Sequence, residues 1–492
     1  MSNEQLANDQ RTVVRDFSKR VIGNFIDNRW APSTSADQLV VVDPSTGLEI
    51  GRVPASSAVD VDVAVSAAAA AQPAWARLTP AARANYLLEL ATLVEQHIDE
   101  LVVIEAIDAG KPITAAKEEM HGVVDAMRFF AGSARSLPAP AGGDYLDGVT
   151  SVMRREPVGV VAGITPWNYP LLQAVAKLFP ALATGNTVVI KPAETTPYST
   201  AWLAEFSVRV LPPGVFNVVF GTGHSVGEAL TRHPDVDLVS FTGSIEAGRK
   251  VGIAAADGVK KAIMELGGNA PVIVFDDAAL DSAVDAIVIA GLYNTGQECM
   301  AASRLIVHSS IVEKFTEALI VRCTVERIGD VLDQSTTLGP MTSASQRTRV
   351  LEKIERRSAL SQVVTGGTVP AGEGFYFPPT IITGVSQDDE LVQEEIFGPV
   401  FTIQTFDSEN EALLLANGTR YGLAASVFTT DVGRSIRVQN ALDFGTVWVN
   451  THLVFAADLP VSGFGSSGIG TENAELGVIE FTRLKHVMID QH

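Results

Sequence analysis

Val158-Gly159-Val160-Val161-Ala162-Gly163 opens a rhythm that returns at Thr187-Val188-Val189-Ile190, at Phe216-Asn217-Val218-Val219-Phe220 and at Leu238-Val239-Ser240-Phe241-Thr242. Each run is short and apolar, and each is followed by residues with helical spacing. Strands alternating with helices predict an α/β architecture, a parallel sheet with crossover helices. A second series begins at Pro271-Val272-Ile273-Val274-Phe275 and continues to about residue 460, predicting a second α/β unit.

Upstream of the first rhythm, a polar lead of roughly twenty residues is expected to be loose or docked on the surface. Asn24 to Trp30 reads as a hairpin, and Val40 to Gly47 as a strand ending in a turn. Val59–Trp75, Pro80–Asp108 and Ile113–Ala134 carry apolar residues three and four apart, the helical period. Leu137 to Gly143 is rich in Pro, Ala and Gly and breaks that pattern. Asp144 to Pro157 then reads as an extended arm. The tail, Leu476 to His492, reads as strand material around Lys485-His486-Val487-Met488-Ile489.

The chain has 492 residues, more than one ordinary domain holds. Its 36 basic and 57 acidic residues give a net charge of −21. That balance argues against a nucleic-acid surface, which needs concentrated Lys and Arg, and against docking on anionic lipid. No run approaches the ~20 apolar residues of a membrane span, and the polar start Met1-Ser2-Asn3-Glu4 lacks a signal pattern. Two cysteines in so long a chain make no disulfide framework, so a reducing, cytoplasmic setting is expected. The eight histidines show no ligand spacing beside acids, and no metal is expected.

Three loops offer chemistry. Tyr293-Asn294-Thr295-Gly296-Gln297-Glu298-Cys299 follows an apolar helical run and places a thiol in a polar, exposed-looking turn. A thiol is a competent nucleophile only with a nearby base or donors. Glu265 ends the strand-like run Ala262-Ile263-Met264, where apolar neighbours would raise its pKa toward that of a general base. Asn168, inside Pro166-Trp167-Asn168-Tyr169-Pro170, carries the neutral N–H donor that an oxyanion needs. Cys323 sits in the amphipathic run Ile311 to Ile328 and reads as core.

Ligands of parallel sheets bind at the strands' carboxyl ends. Lys191 and Glu194 stand there, a cation and an anion suited to ribose hydroxyls; a carboxylate accepts from a 2′-hydroxyl and repels a 2′-phosphate. Phe241-Thr242-Gly243-Ser244 leads into a helix start, with Gly243 and Gly248 five apart, where N–H groups could meet a pyrophosphate. The G-x-G-x-x-G fingerprint is absent: Gly221-Thr222-Gly223 is followed by His224-Ser225-Val226-Gly227.

Pro166-Trp167-Asn168, Lys191-Pro192-Ala193-Glu194, Phe241-Thr242-Gly243-Ser244, Glu265-Leu266-Gly267-Gly268, Gly296-Gln297-Glu298-Cys299 and Glu395-Ile396-Phe397-Gly398-Pro399 stand in the order found in the NAD(P)-dependent aldehyde dehydrogenase superfamily, which the chain resembles from about Asn24 to His486. The resemblance implies two Rossmann-like parallel-sheet domains and a small β oligomerisation domain. Residues 1–138 and 158–264 would bind NAD, with NADP less favoured by Glu194. Residues 265–474 would be catalytic. Residues 139–157 and 475–492 would form the arm and tail of a homodimer or homotetramer.

On this resemblance Cys299 attacks the aldehyde and Asn168 holds the oxyanion. Glu265 activates the water that hydrolyses a thioester, and Lys191 supports the site. Thr165, Pro166, Trp167, Lys191, Glu194, Gly223, Gly227, Phe241, Gly243, Ser244, Leu266, Glu395 and Phe397 would hold the cofactor. Met127 to Gly132, Tyr145-Leu146, Tyr293 to Cys299 and Trp448 to His452 are most similar to γ-aminobutyraldehyde and betaine-aldehyde dehydrogenases. That likeness implies an ω-amino or trimethylammonio aldehyde, with Glu119, Trp167, Tyr169 and Phe455 as tunnel walls. A semialdehyde or an aromatic or aliphatic aldehyde is the alternative. Asp458-Leu459-Pro460-Val461-Ser462-Gly463 departs from the Glu-Met-Pro-His-Gly-Gly usual near the tunnel mouth of those relatives.

Overall fold

Continuous apolar strands demand cover on both faces, and the first sheet supplies it: Val160–Ile164 and Thr187–Lys191 are buried at every position. In a computed structural model that describes residues 3–138 and 142–492, this sheet has eight strands. In spatial order they are Arg29–Ala31, Asn24–Ile26, Phe216–Val218, Thr187–Lys191, Val160–Ile164, Leu238–Thr242, Lys261–Glu265 and Gly468–Ile469. The five strands from Phe216–Val218 to Lys261–Glu265 are parallel, and antiparallel strands close both edges.

Chain order runs from Val160–Ile164 outward to one side, then returns to build the other side with Leu238–Thr242. That reversal is a topological switch point, and the crevice beyond it is where such sheets take ligands. Thr165 to Trp167 and Thr242 to Ser244 lie at its lip.

The second sheet orders Gln362–Thr365, Thr380–Thr383, Val400–Phe406, Arg304–His308, Pro271–Val274, Ala424–Phe428 and Thr446–Val449. All are parallel except the first. The arm and tail form a third sheet, with Val149–Pro157 between Gly143–Leu146 and Thr482–Asp490. Its nine paired positions run from Thr482 opposite Pro157 to Asp490 opposite Val149.

Several expected elements are redrawn. The N-terminal lead is a docked helix, Asn3–Ser18, with Val14 and Phe17 buried. Arg11 ties it down, donating to Asp43 at 2.7 Å and to Asp330 at 2.8 Å. The run Pro80–Asp108 is two helices, Pro80–Gln96 and Ile98–Ala109. His97 leaves the helical conformation between them, with its ring against Trp202 and Phe206. The tail begins as a helix, Ala474–Glu480, before its strand. The start of the expected arm, residues 139–141, lies outside the described residues.

Candidate active site

Three catalytic-looking loops meet because of strand order. Residues 266–270 lead into Pro271–Val274, 293–303 into Arg304–His308, and 394–399 into Val400–Phe406, and these strands are neighbours. Their amino ends face the carboxyl edge of the first sheet, leaving a cleft of about 870 Å³ between the sheets. Cys299, Glu265, Asn168, Glu395 and Phe397 all line it.

The pair Gly267-Gly268 is the hub. A side chain at Gly268 would collide with the Cys299 carbonyl oxygen, and one at Gly267 with the Glu395 carboxylate. The Gly268 N–H also donates to Glu395 Oε1 at 3.1 Å. Glu395 is braced further through its backbone, receiving the Lys353 ammonium at its carbonyl (2.6 Å) and giving its N–H to Tyr421 (3.0 Å). Burial raises its carboxyl pKa to about 7.

The thiol sits at the end of a strained turn. Asn294, Thr295 and Gly296 all have positive φ, +48°, +58° and +68°. Asn and Gly tolerate that region, but a β-branched Thr does not, which costs roughly 1–3 kcal/mol. Asn294 Nδ2 donates to the Asn168 carbonyl at 3.0 Å, and Asn168 Nδ2 donates to the Gln297 carbonyl at 3.0 Å. The turn is therefore not the exposed loop its composition suggests. Gln297 is 0 % exposed, receiving the Thr342 N–H and donating to the Asn294 carbonyl.

Burial raises the Cys299 thiol well above its ordinary value, and Glu298, Glu395 and Glu265 push in the same direction. Glu265 is 5 % exposed, and neither carboxylate oxygen has a hydrogen-bond partner among the described residues. Its pKa is raised by burial and by Glu472, against which Lys177 works. Sequence reasoning missed this buried pair. Lys177 Nζ donates to Glu472 at 2.6 Å, Thr242 Oγ1 at 2.7 Å and Gln173 Oε1 at 3.1 Å. A signal existed: Lys177 is the one charged residue in the apolar helix Pro170–Ala183, and a cation there needs a buried partner.

Trp167 and Phe397 meet edge to face at 5.2 Å within the cleft, and Phe397 has φ +60°. Phe241, Gly243, Ser244 and Leu266 line the same cleft, as do Pro166, Tyr169, Glu119 and Phe455. Thr165, Lys191, Glu194, Gly223 and Gly227 do not reach it. They lie along the carboxyl edge of the first sheet, where Lys191 bonds Glu194 at 2.9 Å. Burial works upward on the Glu194 carboxyl, but the charge and hydrogen bond of Lys191 outweigh it and hold it below its usual value.

That edge has the form of a dinucleotide cradle. Space is open around Gly223, and only Ile164, at 4.0 Å, approaches Gly227. Thr165 Oγ1 is buried without a partner among the described residues. Ser244 caps the helix Ile245–Asp257 by accepting the Ala247 N–H, and the first N–H groups of that helix have no helix carbonyl to meet, the property that suits a helix start to an anion. A side chain at Gly248 would press on the end of Leu266, which would have to move.

Glu119 is not a free tunnel acid. It is 7 % exposed and ion-paired with Lys111, which also bonds Glu105 at 3.1 Å and stands 4.2 Å over the Tyr169 ring. Burial, against Lys111 and with Glu105, leaves the Glu119 carboxyl at about 8. No group of residues able to hold a metal ion occurs among the described residues. No described helix is long and apolar enough to cross a membrane.

A thiol, a desolvated carboxyl and an amide share one cleft at the carboxyl edge of a parallel sheet, the arrangement of an α/β enzyme. The family model for the aldehyde dehydrogenase family matches residues 30–487, and the chain belongs to that family. It is 41% identical over 475 residues to betaine aldehyde dehydrogenase 1 of Rhizobium meliloti, covering 95% of this chain and 96% of that one. An aldehyde dehydrogenase of Emericella nidulans is 40% identical over 470 residues, covering 95% and 94%. Among solved structures, betaine aldehyde dehydrogenase of Staphylococcus aureus in complex with NAD+ superposes with a TM-score of 0.95 at 36% identity, covering 98% of both chains. The expected family, fold and enzyme class therefore hold.

Proposed function

We propose that this protein oxidises a cationic aldehyde, of the ω-amino or trimethylammonio type, to its carboxylic acid with NAD. The observation that carries the substrate reading is the wall of the cleft around Cys299. Glu118, Glu298 and Asp125 stand among Phe130, Tyr293 and Phe455, and an acidic, aromatic wall suits an ammonium group. The names and NAD complex of the relatives support the same reading.

In this mechanism Glu265 takes the thiol proton and Cys299 Sγ forms a bond to the carbonyl carbon. The carbonyl π pair moves onto oxygen, where the second N–H of Asn168 and the Cys299 backbone N–H stabilise it. A bound nicotinamide would supply the hydride acceptor, and loss of hydride from the carbon held on Cys299 leaves a thioester. Glu265 passes the thiol proton to solvent and then takes a proton from water, whose oxygen attacks the thioester carbon. The S–C bond breaks, and the acid leaves. A carboxyl raised by burial is basic enough for both proton transfers.

Glu395 and the Trp167–Phe397 pair would hold the nicotinamide ribose and ring. Lys191 and Glu194 would take the adenine ribose, the acid disfavouring a 2′-phosphate. The third sheet, with Tyr145, Met488 and Ile489 exposed on it, is read as the assembly surface of a dimer or tetramer. Two free cysteines support a cytoplasmic setting.

The test is turnover of 4-aminobutanal, betaine aldehyde, succinic semialdehyde and benzaldehyde with NAD and NADP. Preference for the two cationic aldehydes supports the reading. Equal kcat/KM on the uncharged pair overturns it.

A further inference from the structure

Beyond its place in the acidic wall, Glu298 is bonded to the nucleophile. Glu298 Oε1 accepts from Cys299 Sγ–H at 3.2 Å and from the Met300 N–H at 3.2 Å. The second bond anchors the carboxylate, so it stays against the sulfur rather than sweeping the cleft. Met300 is itself fixed, because its carbonyl meets His452 Nε2 at 2.7 Å and His452 Nδ1 meets Ser426 Oγ at 2.8 Å.

Glu119, which lines the same cleft, differs. It is committed to Lys111, whose ammonium also covers one face of Tyr169. Glu298 pairs with no basic side chain among the described residues, while lining the cleft beside Tyr169 and Tyr293. It is thus the carboxylate nearest the sulfur that a substrate cation could claim. We propose that Glu298 is a latch on Cys299: in the empty cleft it holds the thiol as S–H···O⁻, and the cationic end of the aldehyde draws the carboxylate onto itself and frees the sulfur.

The physical basis is like-charge repulsion, since an anion beside sulfur disfavours the thiolate. The other charged groups acting on the sulfur, Glu395 and Glu265, are also acids. Lys177 is engaged by Glu472, and Lys353 by the Glu395 carbonyl. Burial holds His452 at about 4, so it is neutral. Neutralising Glu298 is therefore the change a cationic substrate is able to make. Glu298 is in these terms a positioning residue that also sets specificity, and the inference rests on Cys299 being the nucleophile.

The test is alkylation of the full-length protein by iodoacetamide, read at Cys299 by mass spectrometry across pH, with and without choline. Choline carries a trimethylammonium and no aldehyde. Glu298→Gln is expected to react about three- to tenfold faster near neutral pH, with its profile displaced to lower pH, because a larger thiolate fraction outweighs lower nucleophilicity. Choline is expected to accelerate the wild type and Glu298→Asp, and to leave Glu298→Gln unchanged. In turnover, Glu298→Gln should raise kcat/KM on benzaldehyde, whose uncharged end cannot open the latch, and lose the preference for 4-aminobutanal, with Glu298→Asp restoring that preference. An unshifted profile in Glu298→Gln, or a wild type that choline fails to accelerate, overturns the latch. Cys299→Ala separates the two readings: turnover surviving there sinks the nucleophile itself, whereas a silent Glu298→Gln with a dead Cys299→Ala sinks the latch alone.

Discussion

The two cysteines of this chain sit in two kinds of surroundings. Cys323 lies in the helix Val312–Thr324, 6 % exposed, in an apolar cluster with Phe315, Leu319 and Val288. Burial first, then Glu326, takes its thiol to about 12. Cys299 is also raised by burial, yet it opens on a cleft, follows a strained turn and touches a carboxylate. A raised pKa is therefore common to the core thiol and the cleft thiol. What separates them is access, a neighbouring carboxyl with unclaimed oxygens, and strain that the surrounding fold sustains.

The largest expected effect breaks that contrast outright if it fails. Cys299→Ala should abolish aldehyde oxidation, while Cys323→Ala should keep kcat and lower stability by about 1 kcal/mol, the common scale for a single substitution, read as a denaturant midpoint. Comparable activity in the two variants would mean the sites do not differ in function.

Next in size is Glu265→Gln. Removing the base should leave a burst of NADH and then steady-state turnover lower by roughly 10²–10⁴, the usual worth of a general base. An unchanged steady state in stopped-flow traces would remove Glu265 from the mechanism. Asn168→Ala should lower kcat by roughly 10²–10³ through loss of an oxyanion donor, with circular dichroism confirming that the turn around Asn294 still folds.

A finer test uses pH. Glu472 raises the Glu265 pKa by charge. Glu472→Gln removes that charge and leaves Lys177 unopposed, so Glu265 should ionise at lower pH. The ascending limb of the kcat profile should then move toward acid. A shift toward base would reverse the assigned sign. The smallest effect sits farthest from the sulfur: Glu194→Ala should improve NADP use over NAD several-fold, the scale of one partly solvated charge contact. An unchanged ratio of kcat/KM values would show that the cofactor preference lies elsewhere.

Much of this was legible in the chain. Continuous Val and Ile runs announced strands buried on both faces, and the ordered motifs announced the family. Three kinds of feature were not legible. Gln297 looked like a surface residue, but its amide is consumed by Thr342 and Asn294 in a buried turn. Glu119 looked like a tunnel acid, but Lys111 occupies it. The helical start of the tail, Ala474–Glu480, was hidden because seven residues are too few to give a periodic signal.

By itself the amino-acid order determined the alternation of strands and helices and marked Cys299, Glu265 and Asn168 as candidates, because local apolar period and motif order are properties of neighbours along the chain. Only the tertiary structure decided which acids are free and which are committed. Lys177 meets Glu472 across 295 positions of sequence, and the three strands that carry Gly268, Cys299 and Glu395 to one point are adjacent only in the folded sheet. Charge pairing depends on distance in space and on exclusion of water, and neither is written in the spacing of residues.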